Sequence, residues 1–310
     1  MHPIRGRFQP PPPNPVSLFY RRKVALALLE ALGGELKRTD FQKHLFLYTR
    51  DDPDPPYDFV PYQYGSYSFS AEADRTPMVR AGLLHDGEAW SKKTRTSYVG
   101  ALRAPDLDRL RRHVRRHGAL RGEALVRTVY AAYPYYATRS RIAGDLLSSQ
   151  EMAAVEAARP AHQGGVLFTL GYEGRSVESY LDQLLRNGVT VLCDVRRNPV
   201  SRKYGFSKRT LRACVEKLGM RYVHTPELGI ASGKRQAADS ADDYARLFDE
   251  YAREVLPHRG EELEQIAALV GVGERVALTC FEACHGDCHR SRVADAVAAL
   301  PGWGACVLHL

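Results

Sequence analysis

Four short motifs in the second half of the chain each begin where an apolar, strand-like run ends, and this recurrence constrains the fold more than any other feature. They are Gly171-Tyr172-Glu173-Gly174-Arg175; Asp194-Val195-Arg196-Arg197 with Pro199, Ser201 and Arg202; Tyr222 to Pro226; and Cys280-Phe281-Glu282 leading to Cys288-His289-Arg290. The runs are Val166 to Leu170, Val189 to Val195, Met220 to His224 and Val276 to Cys280, short and rich in β-branched and aromatic residues. Helical patterns separate them: Ser176 caps one to about Asn187 and Ser207 another to about Leu218. Strands alternating with helices predict an α/β fold with a parallel sheet. In such a sheet the carboxyl ends of the strands share one edge, so the four motifs are expected to meet in one crevice.

A chain of 310 residues with 44% hydrophobic content can bury two cores, so two domains are expected. It carries no apolar stretch of membrane-spanning length and no signal-like start, which points to a cytoplasmic protein without a membrane partner. Six cysteines are spread unevenly; Cys193 and Cys306 sit in apolar surroundings and read as buried thiols, and only Cys280, Cys284 and Cys288 invite a chemical reading.

Charge is unevenly placed. Residues 1–160 hold 25 Lys and Arg against 17 Asp and Glu, and residues 175–235 hold 13 against 5. Two basic regions, one of them around the expected crevice, favour a polyanionic partner, nucleic acid and above all DNA.

Residues 1–16 form a Pro-rich tail, and residues 17–147 read as a mainly helical, winged-helix-like nucleic-acid-binding domain. Within it, Leu18 to Leu32 is an amphipathic helix closed by Gly33-Gly34. Thr39 is expected to cap a second helix, an aromatic string runs from Tyr57 to Phe69, and residues 92–96 suit a hairpin wing. The helix Leu107 to His117 offers Arg109, Arg111, Arg112, Arg115 and Arg116 as DNA contacts. Residues 148–164 make a linker region and residues 165–310 the α/β catalytic domain.

The stretches Phe41 to Tyr48 and Tyr57 to Ser68 resemble the front end of Panacea and SocA-like antitoxin domains, over residues 18–140. That resemblance implies a helical domain associated with bacterial conflict systems. The motifs of the second half, with Gly205-Phe206-Ser207-Lys208 and Leu228-Gly229, resemble the family called domain of unknown function 488, over residues 166–300. The resemblance implies a pocket formed by Tyr172, Glu173, Arg175, Asp194, Arg196, Arg202, Tyr222, His224, Cys280, Glu282, Cys288, His289 and Arg290.

Side-chain chemistry gives these residues roles. Glu173, Asp194 and Glu282 would bring carboxylates to one edge beside arginines, an arrangement that can hydrolyse a glycosidic bond. Tyr172, Cys288 and His289 complete the catalytic candidates; Arg175, Arg196, Arg202, Tyr222, His224 and Arg290 are assigned to substrate and phosphate. The leading expectation is a hydrolase acting on DNA, a glycosylase-like enzyme of antiviral defence that flips its target base. Two alternatives stand beside it: a non-catalytic, antitoxin-like module that senses a nucleotide, and a cysteine-dependent phosphatase or sulfurtransferase using Cys284-x5-Arg290. No cofactor is expected. Nor is a metal, because the thiols lack a Cys-x2-Cys knuckle and adjacent Cys288 and His289 make awkward joint ligands.

Overall fold

The computed structural model describes residues 18–50, 52–230 and 241–310, of 241, 242, 244 and 245 the backbone alone. The tail at residues 1–16 lies outside the described residues.

The front half begins with α1 (Tyr20–Ala31), β1 (Glu35–Lys37) and α2 (Arg38–Thr49), followed by a hairpin of β2 (Val60–Tyr62) and β3 (Gly65–Tyr67) and by α3 (Phe69–Arg80). Next come β4 (Ala89–Ser91), α4 (Ala104–His117), α5 (Gly122–Ala132), α6 (Ala143–Leu146) and α7 (Ser149–Ala157). Gly33 and Gly34 end α1 with φ of +102° and +83°, a left-handed turn that a side chain would strain. β4 returns antiparallel to β1, Leu84 bridges to Lys92, and Trp90 stacks on Phe41 at 3.7 Å between ring centroids. The wing is therefore the turn between Leu84 and Lys92; residues 93–97 are not strand. Lys37, not Thr39, occupies the N-cap of α2, since the chain passes from β1 into the helix without an intervening turn. Tyr57, Phe59 and Phe69 are buried, so the aromatic string mainly fills the core, and Tyr64 alone of it is strongly exposed.

The second half contains β5 (Val166–Gly171), α8 (Val177–Arg186), β6 (Val191–Asp194), α9 (Lys208–Lys217) and β7 (Arg221–His224). It continues through α10 (Ala241–Glu250), α11 (Gly260–Gly271), β8 (Arg275–Cys280), α12 (His289–Ala298) and β9 (Cys306–His309). The five strands pair in parallel in the order β7-β6-β8-β5-β9. Pleating sends Phe168, Leu170, Leu192 and Ala277 to one face, under α8 and α9; Leu167, Val191, Val276 and Leu278 go to the other, with Phe248, Ile266 and Val293 of α10, α11 and α12. This is the expected α/β architecture. β9 was not anticipated. Among the described residues it is an edge strand paired with β5 alone, and its Cys306 is exposed, contrary to the buried thiol expected.

Ser176 caps α8 by accepting the Ser179 amide at 3.0 Å. Ser207 stands at the N-cap of α9 but turns its hydroxyl to the Ser201 carbonyl at 2.9 Å, closing the preceding loop instead of the helix.

The two halves share one core. Val60 and Phe69 pack in the same cluster as Tyr180, Leu181 and Leu184 of α8. At this seam Glu178, fully buried in the first turn of α8, accepts the Ser70 amide at 2.6 Å, the Ser70 hydroxyl at 2.9 Å and the Ser68 hydroxyl at 3.1 Å. It thus receives the open amino end of α3, whose N-cap is Ser68. Among the described residues no helix is long and apolar enough to cross a membrane.

Candidate functional site

β8 sits between two strands whose outgoing connections leave on the opposite face. Chains departing β5 and β6 turn to α8 and α9; the chain departing β8 turns to α12. The loops part on either side of Cys280, and the space between them is the crevice expected where a parallel sheet reverses. A cleft of about 340 Å³ opens there, lined by Tyr172, Arg196, Arg197, Asn198, Val200, Ser201, Arg202, Ile230, Cys280, Phe281 and His289. Register explains the convergence: Gly171 pairs with Cys280, and Asp194 with both Thr279 and His224.

Asp194 lies beneath the cleft and does not line it. Both its oxygens are engaged by Arg196, through Nε at 2.8 Å and Nη2 at 2.6 Å, and Tyr222 donates its hydroxyl to Oδ2 at 2.5 Å. Arg196 also donates to the Tyr172 hydroxyl and the Phe206 carbonyl. Burial opposes its charge, but the Asp194 carboxylate outweighs burial and raises the Arg196 pKa; burial first and Asp194 second raise that of the Tyr222 phenol. The group is a closed ion-pair network that fixes the loop after β6. Its geometry gives Asp194 and Tyr222 positioning work.

The other two carboxylates stand on loops. Glu173 is exposed in the turn after β5, and its Oε2 accepts the Ala283 amide at 3.0 Å, which ties that turn to the loop after β8. Glu282 is half-buried in the same loop. Arg290 is fully buried under it and donates to the carbonyls of Glu282 at 2.6 Å and Ala283 at 3.0 Å. This inward position takes Arg290 out of the phosphate-binding set. It also dismantles the Cys284-x5-Arg290 oxyanion cradle, since Cys284 is exposed while the guanidinium is committed below the loop. The loop crosses close over β5: a Cβ at Gly171 would lie 1.7 Å from the Glu282 carbonyl oxygen.

Cys280, Cys288 and His289 come together at the cleft floor, all buried, their donor atoms within 4.8 Å of one another. His289 Nε2 donates to the Val195 carbonyl at 3.0 Å, so its Nδ1 carries the lone pair, 3.6 Å from Cys280 Sγ and 3.8 Å from Cys288 Sγ. Burial, then the neighbouring Cys280 and Glu282, push the Cys288 thiol well above the ordinary range, against Arg290. Adjacency of Cys288 and His289 proves no obstacle: Cys288 is the N-cap of α12 with extended backbone (φ −144°, ψ 140°), and His289 opens the helix.

Among the remaining candidates, Arg202 is exposed on the cleft rim, and Arg175 is half-buried in the turn after β5. His224 donates through Nε2 to the Arg196 carbonyl at 2.9 Å and takes Lys208 Nζ on Nδ1 at 2.7 Å, outside the cleft lining. In the front half Arg109 is buried and pairs with Asp106 and Asp52, so it is withdrawn from the DNA-contacting set; Arg111, Arg112, Arg115 and Arg116 are exposed on α4. The sequence reading passed over Phe281 as a contact, and Asn198 and Arg197 as lining residues. Their signal was position alone, one to four residues beyond a strand end.

The second half is a parallel α/β unit with a cleft at its sheet edge, joined to a mainly helical front half. Within it, residues 176–297 match the family described as domain of unknown function DUF488. The match leaves Tyr172, Glu173 and Arg175 just before its first residue. No curated protein matches the chain.

Proposed function

We propose that the chain processes nucleic acid, that the cleft beside Cys280 receives one nucleotide, and that the reaction is hydrolysis of its glycosidic bond. The supporting observation is the make-up of the rim. The exposed arginines Arg197 and Arg202 suit flanking phosphates, and Phe281, 43% exposed, stands edge-on to Tyr172, which stacks on Phe206 at 4.2 Å. An extruded base would lie against Phe281 and the edge of Tyr172 while its phosphates meet the guanidiniums. With Asp194 occupied by Arg196, acid–base work falls to the loop carboxylates Glu173 and Glu282. One accepts a proton from water as it adds to the sugar's anomeric carbon; the other returns a proton to the departing base nitrogen. The exposed arginines of α4 give the polymer a second foothold.

The test is incubation of the full chain with ordinary and base-modified DNA, with free bases measured by mass spectrometry. Glu173→Gln or Glu282→Gln is expected to slow release by about 10² or more. Undiminished release in both variants overturns the assignment of the carboxylates. Binding with no release of any base favours a second reading, a nucleotide sensor, for which the closed Asp194–Arg196–Tyr222 network speaks.

A further inference from the structure

We propose that Cys280, Cys288 and His289 hold a single zinc-type divalent cation whose fourth coordination position opens into the cleft. Geometry comes first. With zinc–sulfur bonds of about 2.3 Å and zinc–nitrogen bonds of about 2.0 Å, tetrahedral ligation sets sulfur and nitrogen about 3.5 Å apart. The separations found are 3.6 Å and 3.8 Å. The donors also come from rigid places: Cys280 is the last residue of β8, and Cys288 and His289 begin α12.

Imidazole orientation agrees. The Val195 carbonyl accepts from Nε2, which turns the Nδ1 lone pair toward both sulfurs; a backbone carbonyl behind a ligating histidine is a common outer support of metal sites. The charges balance as well. Two thiolates offset one divalent cation, and the buried Arg290 guanidinium and the Glu282 carboxylate, both near Cys288, offset each other. Two sulfurs and one imidazole are a soft donor set, which selects zinc over magnesium or calcium.

Cys280 and His289 form part of the cleft wall, so the side of the triad away from the protein interior faces the space assigned to substrate. Three protein ligands with one open position is the arrangement of zinc sites that bind water or substrate, whereas structural sites close with a fourth residue. Bound there, the ion would activate water or polarise an oxygen. It would also staple the loop at residues 281–287, which carries Phe281 and Glu282, to the sheet and to α12 at once.

The metal is read without any substrate, so the outcome does not depend on the glycosidic reading. The full chain, purified without chelator, is expected to carry stoichiometric zinc by elemental mass spectrometry. After removal of zinc and addition of cobalt, it should show a thiolate-to-metal charge-transfer band with tetrahedral visible bands. Cys288→Ser and His289→Ala are expected to weaken zinc retention by at least about tenfold, a loss that outer-shell changes alone can reach; Cys284→Ser, on the exposed loop, should keep it. Ligand variants can fail to fold, so the unaltered chain decides by itself. A Cys280–Cys288 disulfide in the purified protein, cobalt uptake without a thiolate band, or equal metal loss from Cys284→Ser would each overturn the site.

Discussion

Two carboxylates in this molecule are equally buried, and they are held by opposite means. Asp194, at the end of β6, is met by a guanidinium; Glu178, at the seam, is met by two serine hydroxyls and the amino end of α3. A buried anion with a full counter-charge makes a rigid anchor whose loss strands the partner. One held by dipoles spreads its charge over several weaker donors, and desolvation remains visible in its titration: burial, the largest influence, raises the Glu178 pKa despite those hydrogen bonds.

Asp194→Ala should destabilise the protein most. It leaves Arg196 buried without its carboxylate and is expected to cost about 3–5 kcal/mol in chemical denaturation. A loss no larger than that of Glu178→Gln would show that the two anchors do not differ as described.

Glu178→Gln comes next, at about 1–3 kcal/mol, because an amide cannot accept from all three donors with two oxygens. This position also carries a pH signature. With a raised folded pKa, the folded chain binds the proton more tightly than the unfolded one. Wild-type stability therefore falls as pH rises through the window that opens at the ordinary glutamate value of about 4.5, and is not regained above it. Subtracting the Glu178→Gln curve from the wild-type curve isolates that slope; a difference that is flat or rises with pH contradicts the account.

The smallest effect compares single donors. Tyr222→Phe removes one hydroxyl from Asp194, which keeps Arg196, whereas Ser70→Ala removes one from a carboxylate that relies on such donors. Both should cost about 0.5–1.5 kcal/mol, Ser70→Ala the more. Thermal denaturation of the pair, measured together, tests the order.

The same contrast explains what could be read from sequence. Strands β5 to β8 were legible because each is a short apolar run bounded by polar motifs, and shared edges follow from parallel pairing alone. β9 was not, since Cys306 to His309 is brief, follows a Pro-Gly-Trp-Gly turn and lies at an exposed edge. The site's location was legible; the state of its members was not. Whether Asp194 faces a ligand or an arginine depends on a loop that doubles back two residues later, and Arg109 and Arg115 look alike in sequence though one is buried and the other exposed. Adjacency in sequence makes Cys288 and His289 look awkward as joint ligands, which neglects that a helix N-cap takes extended backbone while its successor does not. Nothing local marks Glu178, a first-turn glutamate in an otherwise ordinary amphipathic pattern, as the partner of serines far upstream.

The shared core at the seam has a consequence for how the protein is made. Synthesis delivers the front half first, yet Val60, Phe69 and the open end of α3 find their cover only in α8, with Ser68 and Glu178 separated by 110 positions. At ribosomal speeds that interval lasts on the order of ten seconds. For that time the nascent front half carries an uncovered apolar face and an unanswered Ser70 amide until the sheet arrives.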